Sequence, residues 1–228
     1  MQIRSLCAAF ALVILLSSCT PGTPSSGTSS LSYGNTNSMN TNQTSDSLDG
    51  MTSQAAAPAA GEEIAVITTN MGVMKVRFFP EEAPLSVANF KALAKKGYYD
   101  GLVFHRVIKN FVAQGGDPTA TGTGGESANG KPVPDERNRN RSHIFGALGM
   151  AKSGPNTATS QFYIVVNPAG TRNLDGGYTV FAQVFDGLPV AEAIGSVKTK
   201  ICSQAELGCD KPLEDVVMQK IEIMPYTE

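Results

Sequence analysis

The sequence predicts a mainly β domain with two helices, and three observations lead to this fold class. Short segments of alternating apolar and polar residues recur along the chain, as at 74–78, where Lys75 and Arg77 separate apolar side chains. Loops rich in Gly and Asn divide these segments, and only two stretches have helical spacing. A period of two is typical of strands with one solvent-exposed face. Such strands form a mainly antiparallel sheet, and closing that sheet into a barrel removes its unpaired edges.

The predicted strands begin with a β-hairpin from 64–69 to 74–78. Asn70, Met71 and Gly72 between the two strands are residues suited to a tight turn. Six further strand segments follow, at 102–108, 111–114, 147–150, 161–166, 179–185 and 216–224. Periodicity alone does not distinguish a barrel from a sandwich of two sheets.

The two predicted helices are both marked by proline near the start and glycine at the end. Pro84 begins the first helix, apolar residues follow at helical spacing for about three turns, and Gly97 ends it. The second helix is shorter, at 189–194, and Gly195 ends it. Two short helices among eight strand segments agree with a mainly β domain.

The N-terminal residues predict export and lipid attachment. A basic residue, an apolar run at 6–16 and two serines precede Cys19, which is the order of a secretory signal. The run is about half of the roughly 20 residues needed to cross a bilayer. Residues 16–19 resemble the lipobox of bacterial lipoproteins, and this resemblance implies removal of residues 1–18 and acylation of Cys19. An ordinary secretory signal that contains a cysteine is the alternative.

Residues 19–61 predict a flexible tether. After Cys19 this segment consists mainly of Ser, Thr, Asn, Gly, Pro and Ala, with Asp46 and Asp49 as its only charged residues. Too few apolar side chains are present to offset the entropy of ordering the chain. We therefore expect an extracytoplasmic domain at 62–228 that is lipid-anchored to a bacterial membrane, the outer membrane if the cell is Gram-negative.

Composition argues against several classes of partner for residues 62–228. The segment has the size of one domain with one core. The whole chain has a net charge of −2 and a pI of about 5.7, which argues against nucleic-acid binding. The two histidines, His105 and His143, lie far in sequence from Cys202 and Cys209, which argues against a metal site at these cysteines. Because Cys7 leaves with the signal and Cys19 carries lipid, Cys202 and Cys209 remain as an even pair and predict a disulfide. A monomer is the default expectation.

Arg106 is unexpected in its segment. In a regular strand it shares a face with Phe104 and Ile108. Burying a guanidinium among apolar groups is costly unless hydrogen bonds or a charged partner satisfy it. The strand leaves two alternatives open: Arg106 pairs within the fold, or it serves a ligand.

Three ordered motifs resemble those of the cyclophilin family. They are FHRVIKNFVAQGGDPTATGTGG at 104–125, MAKSGPNTATSQFYIVV at 150–166 and LDGGYTVFAQV at 174–184. The resemblance covers essentially all of 62–228 and implies a closed eight-stranded antiparallel β-barrel capped by two α-helices. It also implies cis/trans isomerisation of X-Pro bonds in protein substrates, with no cofactor and no metal. The implied partners are proline-containing, unfolded or partly folded exported proteins.

The resemblance implies a site as well. The catalytic arginine falls on Arg106, and Gln114 supports it. The apolar pocket for the proline ring falls on Phe111, Val112, Tyr163 and Leu174. The other positions that contact or border the substrate are His105, Ala151, Lys152, Gln161 and Tyr178.

Some positions depart from the best-known family pattern. Asn173 stands where many members have tryptophan, Val112 where methionine is common, Tyr178 where histidine is common, and Lys152 where asparagine is usual. Loss of the indole affects cyclosporin binding more than catalysis, because the indole N–H donates to the drug in the family. Asn173 and Val112 leave open a proline-peptide-binding or surface-interaction module with little isomerase activity, and a general holdase chaperone is a second alternative.

Overall fold

The computed structural model describes residues 54–137, 140–200 and 209–228, all within a compact unit that spans Asn40–Glu228. The strands are β1 (Glu63–Thr69), β2 (Gly72–Phe78), β3 (Arg106–Val107), β4 (Val112–Gly115), β5 (Ala147–Met150), β6 (Phe162–Val165), β7 (Val180–Asp186) and β8 (Met218–Pro225). The helices are α1 (Pro84–Lys95) and α2 (Leu188–Gly195), with a short 3-10 helix at Arg172–Leu174. In the described part of the chain, neither helix is long and apolar enough to span a membrane.

The predicted β1–β2 hairpin is confirmed. The strands pair in register from Ile64↔Arg77 to Thr69↔Gly72. At the turn, Thr69 Oγ1 donates to the Gly72 carbonyl at 2.8 Å and accepts from the Met71 N–H at 3.0 Å. Gly72 has φ +135°, and a Cβ at this position would lie 2.7 Å from the Val190 side chain. Only glycine meets both the backbone and the space requirement here.

All eight described strands belong to one antiparallel sheet, with the order β3-β4-β6-β5-β7-β2-β1-β8. This mainly β fold with two helices is confirmed, and it excludes a sandwich of two sheets within the described residues. The sheet is a curled half-barrel, and the closed barrel that the resemblance implies is not shown. The end strands β3 and β8 share no ladder, and β3 has only two residues. Val103↔Val217, just outside β3, is an isolated bridge.

The side chains of the sheet separate into two apolar clusters. On β6, Phe162 and Ile164 belong to the main core, which also contains Phe90 of α1. The alternate residues Tyr163 and Val165 belong to a second, smaller cluster. Successive side chains of a strand point to opposite faces, so β6 is buried on both sides. The second cluster contains Val112 and Tyr163 of the predicted proline pocket, and the partly buried Phe111 and Leu174 of that pocket pack against it.

The described chain packs onto the sheet from Gln54, before the expected domain start at residue 62. Gln54 is 1% exposed. Its Nε2 donates to the Ser142 carbonyl at 2.8 Å and to Gln183 Oε1 at 3.1 Å, while its Oε1 accepts from the Ser142 N–H at 3.1 Å. The folded domain therefore includes the last residues of the expected tether. The rest of that tether and the signal lie outside the described residues.

Replacing Gln54 with alanine is expected to lower the free energy of unfolding by about 2 kcal/mol, because the buried Gln183 side chain and the half-buried Ser142 backbone lose their partner. Urea unfolding followed by circular dichroism measures this change. The matched control is Gln219→Ala on the exposed side of β8, which we expect to change stability by less than about 0.5 kcal/mol. Equal unfolding midpoints for both variants would show that the Gln54 contacts contribute nothing.

Candidate active site

Arg106 stands at the start of β3, directly opposite Gln114 of β4. Its Nη1 donates to Gln114 Oε1 at 3.4 Å, and its Nε lies 3.8 Å from Asp210 Oδ2. Both contacts are long, and the Arg106 side chain is 41% exposed. Arg106 therefore pairs within the fold, and its donors also stay accessible to a ligand. The sequence left these two possibilities open as alternatives, and the structure is compatible with both.

A cavity of about 150 Å³ opens beside the Arg106 guanidinium. It brings together nine of the eleven predicted catalytic and substrate-binding residues: Arg106, Phe111, Val112, Gln114, Ala151, Lys152, Tyr163, Leu174 and Tyr178. Its apolar lining residues belong to the second cluster or pack against it, and Arg106 and Lys152 are its charged lining residues. We call this space the proline cavity, after the ring that the family resemblance implies would bind there.

Tyr163 forms the central wall of the proline cavity because of the register of three strands. It pairs with Gln114 on β4 and with Gly149 on β5. A Cβ at Gly149 would lie 2.4 Å from Cζ and Oη of Tyr163. The ring can lie over β5 only because residue 149 has no side chain.

Gln114 is held in place by a second glutamine. Its Nε2 donates to Gln161 Oε1 at 2.8 Å. Gln161 Nε2 in turn donates to the carbonyls of Gly122 and Gly124, at 3.1 and 2.7 Å. Because Gln114 Nε2 is used in the bond to Gln161, Gln114 Oε1 is directed at Arg106. The hydrogen bonds of Gln161 to the loop carbonyls therefore determine the orientation of the Gln114 amide.

Asp117 organises the loop that ends this glutamine chain, and sequence reasoning missed its role. It is 1% exposed. The carboxylate accepts from the backbone N–H groups of Thr119, Gly122 and Gly124 and from Thr119 Oγ1, at 2.7 to 3.1 Å. Burial raises the pKa of Asp117, but these hydrogen bonds outweigh burial and lower it from 3.8 to about 2. An Asp followed by Pro, Thr and several Gly was the available sequence signal.

A second cavity of about 420 Å³ adjoins the proline cavity. The two share Gln114, Ala151 and Lys152. Gln161 lines only the larger one, together with hydroxyl-bearing and glycine residues of the neighbouring loops. The two cavities therefore form one groove, which is apolar at one end and polar at the other.

Comparison with known proteins agrees with this geometry. Residues 64–223 match the family model for cyclophilin type peptidyl-prolyl cis-trans isomerase/CLD. The chain belongs to this family. A Staphylococcus aureus protein named as a peptidyl-prolyl cis-trans isomerase is 43% identical over 189 residues, covering 72% of this chain and 92% of the relative. A Staphylococcus saprophyticus protein of the same name is 41% identical over 191 residues, covering 72% and 93%.

Solved structures of cyclophilins resemble the chain in fold. A cyclophilin-type peptidyl-prolyl cis-trans isomerase of Cryptosporidium parvum, solved in the presence of the dipeptide Ala-Pro, matches with a TM-score of 0.65 and 33% identity. The match covers 72% of this chain and 99% of the other. The chain is thus a cyclophilin-type peptidyl-prolyl cis-trans isomerase.

Lys152 of this cyclophilin is engaged within the fold. Its Nζ lies 2.7 Å from Asp135 Oδ2, donates to the Gly177 carbonyl at 2.6 Å, and stands 4.9 Å from the centre of the Tyr178 ring. Burial raises the pKa of Asp135, but hydrogen bonds from Lys152 and Arg137 lower it overall. Lys152 thereby ties the Asp135 loop to the Tyr178 wall of the cavity.

His105 is the one predicted border residue that lines neither cavity of the cyclophilin. It is 6% exposed, and neither ring nitrogen has a hydrogen-bond partner. A Cβ at Gly122 would lie 3.6 Å from its Nε2, so the ring lies against the Asp117 loop. Burial lowers the pKa of His105, which keeps the ring neutral.

The cysteine predictions fall partly outside the described residues. Cys209 is disulfide-bonded. Cys202 and Cys19 both lie outside the described residues, so the Cys202–Cys209 pairing and the lipid site stay predictions. The described residues contain no cluster of three or more His, Cys, Asp or Glu side chains arranged to hold a metal ion.

Proposed function

We propose that this cyclophilin accelerates rotation about X-Pro bonds by directing the Arg106 guanidinium at the prolyl nitrogen. The observation that carries this proposal is the shared cavity, which places the Arg106 donors beside the apolar walls Phe111 and Tyr163. A proline ring seated against these walls holds its nitrogen near Arg106. The Ala-Pro dipeptide present with the Cryptosporidium relative supports a proline-containing ligand.

Catalysis of this reaction requires a weaker C–N resonance. Resonance gives the peptide bond partial double-bond character and a barrier of about 18 to 20 kcal/mol. In the twisted transition state the prolyl nitrogen regains a lone pair, which accepts a hydrogen bond that the planar ground state cannot accept equally well. A donor fixed at that point binds the transition state more tightly than the substrate, and only such differential binding accelerates the reaction.

Arg106 is suited to this role in chemistry and in position. A guanidinium stays protonated at any working pH and presents several N–H donors in a rigid plane. Gln114 orients it from the neighbouring strand, and Gln161 holds Gln114. The apolar walls exclude water from the ring, which strengthens the hydrogen bond to Arg106. These groups catalyse the rotation without forming a covalent bond.

The purified full-length protein is expected to accelerate cis/trans exchange of acetyl-Ala-Pro-amide. Lowering the barrier by about 7 kcal/mol accelerates exchange on the protein about 10⁵-fold. NMR exchange spectroscopy of the peptide, with and without protein, measures the rate.

Two other functions predict different results, the second of them in a separate aggregation assay. Peptide resonances that shift on titration without faster exchange would assign a proline-binding module. Suppressed aggregation of an unfolded client without peptide exchange or binding would assign a holdase.

We further propose that the enzyme assists the folding of exported proteins while it is anchored to a bacterial membrane through lipid on Cys19. The proposal is supported by the apolar run at 6–16 and by the lipobox-like residues 16–19. Several acyl chains hold a protein stably on a membrane, where one chain is marginal. Uncatalysed X-Pro isomerisation takes tens to hundreds of seconds, so an isomerase at this surface removes a slow folding step.

Radiolabelled palmitate is expected to label the wild-type protein in bacterial cells and not a Cys19→Ser variant. The variant is expected to leave the membrane fraction. Cys7→Ser is the matched control and should keep the label, because residue 7 precedes the expected cleavage site. Unlabelled wild-type protein that is nonetheless exported would replace the lipoprotein proposal with an ordinary secretory signal.

A further inference from the structure

His143 is a buried titratable side chain that the proposed mechanism does not use. Its side chain has no solvent exposure and lies behind the proline cavity. Nδ1 is 2.7 Å from Asp175 Oδ1, and Nε2 is 2.8 Å from the hydroxyl of Tyr163. The His143 and Tyr163 rings stack with centroids 5.9 Å apart. His143 therefore joins a carboxylate on one side to a wall of the proline cavity on the other.

The hydrogen-bond directions in this cluster follow from the chemistry of its members. An ionised carboxylate only accepts, so the proton of a neutral His143 lies on Nδ1 and points at Asp175. Nε2 is then an acceptor, and the Tyr163 hydroxyl donates to it. Burial lowers the pKa of His143 in spite of Asp175, which keeps the ring neutral near pH 7.

Asp175 is itself fixed at the start of a cavity loop. It accepts from the Ser142 hydroxyl at 2.6 Å and from the His143 backbone N–H at 2.8 Å. Burial raises the pKa of Asp175, but these bonds and the His143 side chain lower it overall. Asp175 directly follows Leu174, which lines the cavity. The hydrogen-bonded cluster thus connects the β6 wall of the proline cavity to the wall that contains Leu174.

We propose that His143 and Asp175 are positioning residues that set the shape of the proline cavity by holding the Tyr163 ring and the Leu174 wall at a fixed separation. This inference rests on the proposed function, since it assigns the proline ring to that cavity. Tyr178 lines the same cavity, and its ring packs edge-on against the Tyr163 ring, with the ring centroids 6.0 Å apart. The hydroxyl of Tyr163 acts through His143 and takes no part in the bond rotation.

Loss of the Tyr163 hydroxyl affects substrate binding more than the chemical step. The proline ring contacts the walls in the ground state and in the transition state alike, and uniform binding of this kind changes KM rather than kcat. Arg106 and Gln114 belong to a separate hydrogen-bond chain. We therefore expect Tyr163→Phe and Asp175→Asn to raise KM about 3- to 10-fold while kcat changes less than about two-fold.

The test combines kinetics with a direct readout of the imidazole in the full-length protein. KM and kcat for an Ala-Pro peptide are measured for wild type, Tyr163→Phe, Asp175→Asn and the control Tyr99→Phe. Tyr99 is a buried tyrosine whose hydroxyl donates to the Ser160 carbonyl at 3.2 Å, away from the proline cavity, so its KM should stay at the wild-type value. ¹⁵N NMR of the wild-type histidine rings should show the His143 proton on Nδ1.

Each outcome decides a different point. An unchanged KM in a folded Tyr163→Phe protein, or a His143 proton on Nε2, overturns the positioning role. If Asp175→Asn does not fold, the Tyr163→Phe kinetics and the wild-type tautomer still decide it. An inactive wild-type enzyme would instead refute the proposed function, and the tautomer measurement would still show whether the hydrogen-bonded cluster exists.

Discussion

An Arg106→Ala enzyme is expected to isomerise X-Pro peptides with kcat/KM about 10²- to 10³-fold below wild type, the cost of removing one preorganised donor from a transition state. The fold is expected to survive this change. Arg106 is 41% exposed and its two polar contacts are 3.4 and 3.8 Å long, so its removal leaves no strongly bonded partner unsatisfied. Gln114 stays anchored by Gln161. We therefore expect the variant to lose activity while it keeps the stability of wild type.

Exchange NMR on an Ala-Pro peptide measures the activity of this variant, and urea unfolding measures its stability. Lys109→Ala is the matched control, because it removes the same charge from the exposed residue beside the β3–β4 turn, outside both cavities. Arg106→Lys keeps the charge and loses the planar fork, so its activity should lie between wild type and alanine. Wild-type kcat/KM in Arg106→Ala would refute the proposed role of the guanidinium.

Replacement of Asp117 by asparagine is expected to lower the free energy of unfolding by about 3 kcal/mol, because hydrogen bonds to a buried charged acceptor are among the strongest in the fold. The amide group cannot accept from all four donors on Thr119, Gly122 and Gly124. Activity should fall as well. The carbonyls of Gly122 and Gly124 hold Gln161, and through Gln161 and Gln114 they orient Arg106.

The same carboxylate predicts how stability depends on pH. The pKa of Asp117 is about 2 in the folded protein and about 3.8 in the unfolded chain. A lowered carboxyl pKa stabilises the folded state above the unfolded value, and this stabilisation is lost as pH falls from 3.8 towards 2. The difference corresponds to about 2 kcal/mol at neutral pH. As the pH falls through this range, the free energy of unfolding should decrease by about 2 kcal/mol more in wild type than in Asp117→Asn.

Denaturant unfolding at several pH values between 2 and 7 measures both effects. Asp186→Asn is the matched control, since its side chain is 58% exposed and pairs only at the surface with Lys75. An exposed pair of this kind contributes at most about 1 kcal/mol. If the two variants unfold alike at pH 7, the Asp117 loop does not have the stabilising role assigned to it.

Much of the local structure was predictable from short-range pattern. The hairpin with its turn at 70–72 and both proline-initiated helices occur where the sequence places them. The segment 102–108 is different, because only Arg106–Val107 of it forms a strand. Its first residues meet the other end of the sheet through the single bridge at Val103. The alternation of apolar and polar residues indicates which side chains are buried, but it does not indicate whether a neighbouring strand forms a ladder with the segment.

Most of the predicted site residues line one cavity, while their roles in binding and catalysis stay predictions. Nine predicted residues line the proline cavity, and His105 lines neither cavity. Neighbouring side chains of an extended chain point in opposite directions, so the residue before Arg106 faces away from it. The roles of Asp117 and His143 were not predicted at all. Their partners are backbone groups or residues whose proximity depends on loop conformation and strand register.

The sequence by itself determined the family, the strand and helix segments and the residue types of the cavity, because periodicity, turn residues and motifs are local properties of the chain. Only the tertiary structure decided how the site is held. Register places Gln114 opposite Arg106 and lays Tyr163 over Gly149. The conformation of the loop before β5 brings His143 within hydrogen-bonding distance of Tyr163 and Asp175. A hydrogen bond depends on fractions of an ångström between residues far apart in sequence, and such distances exist only once the sheet has formed.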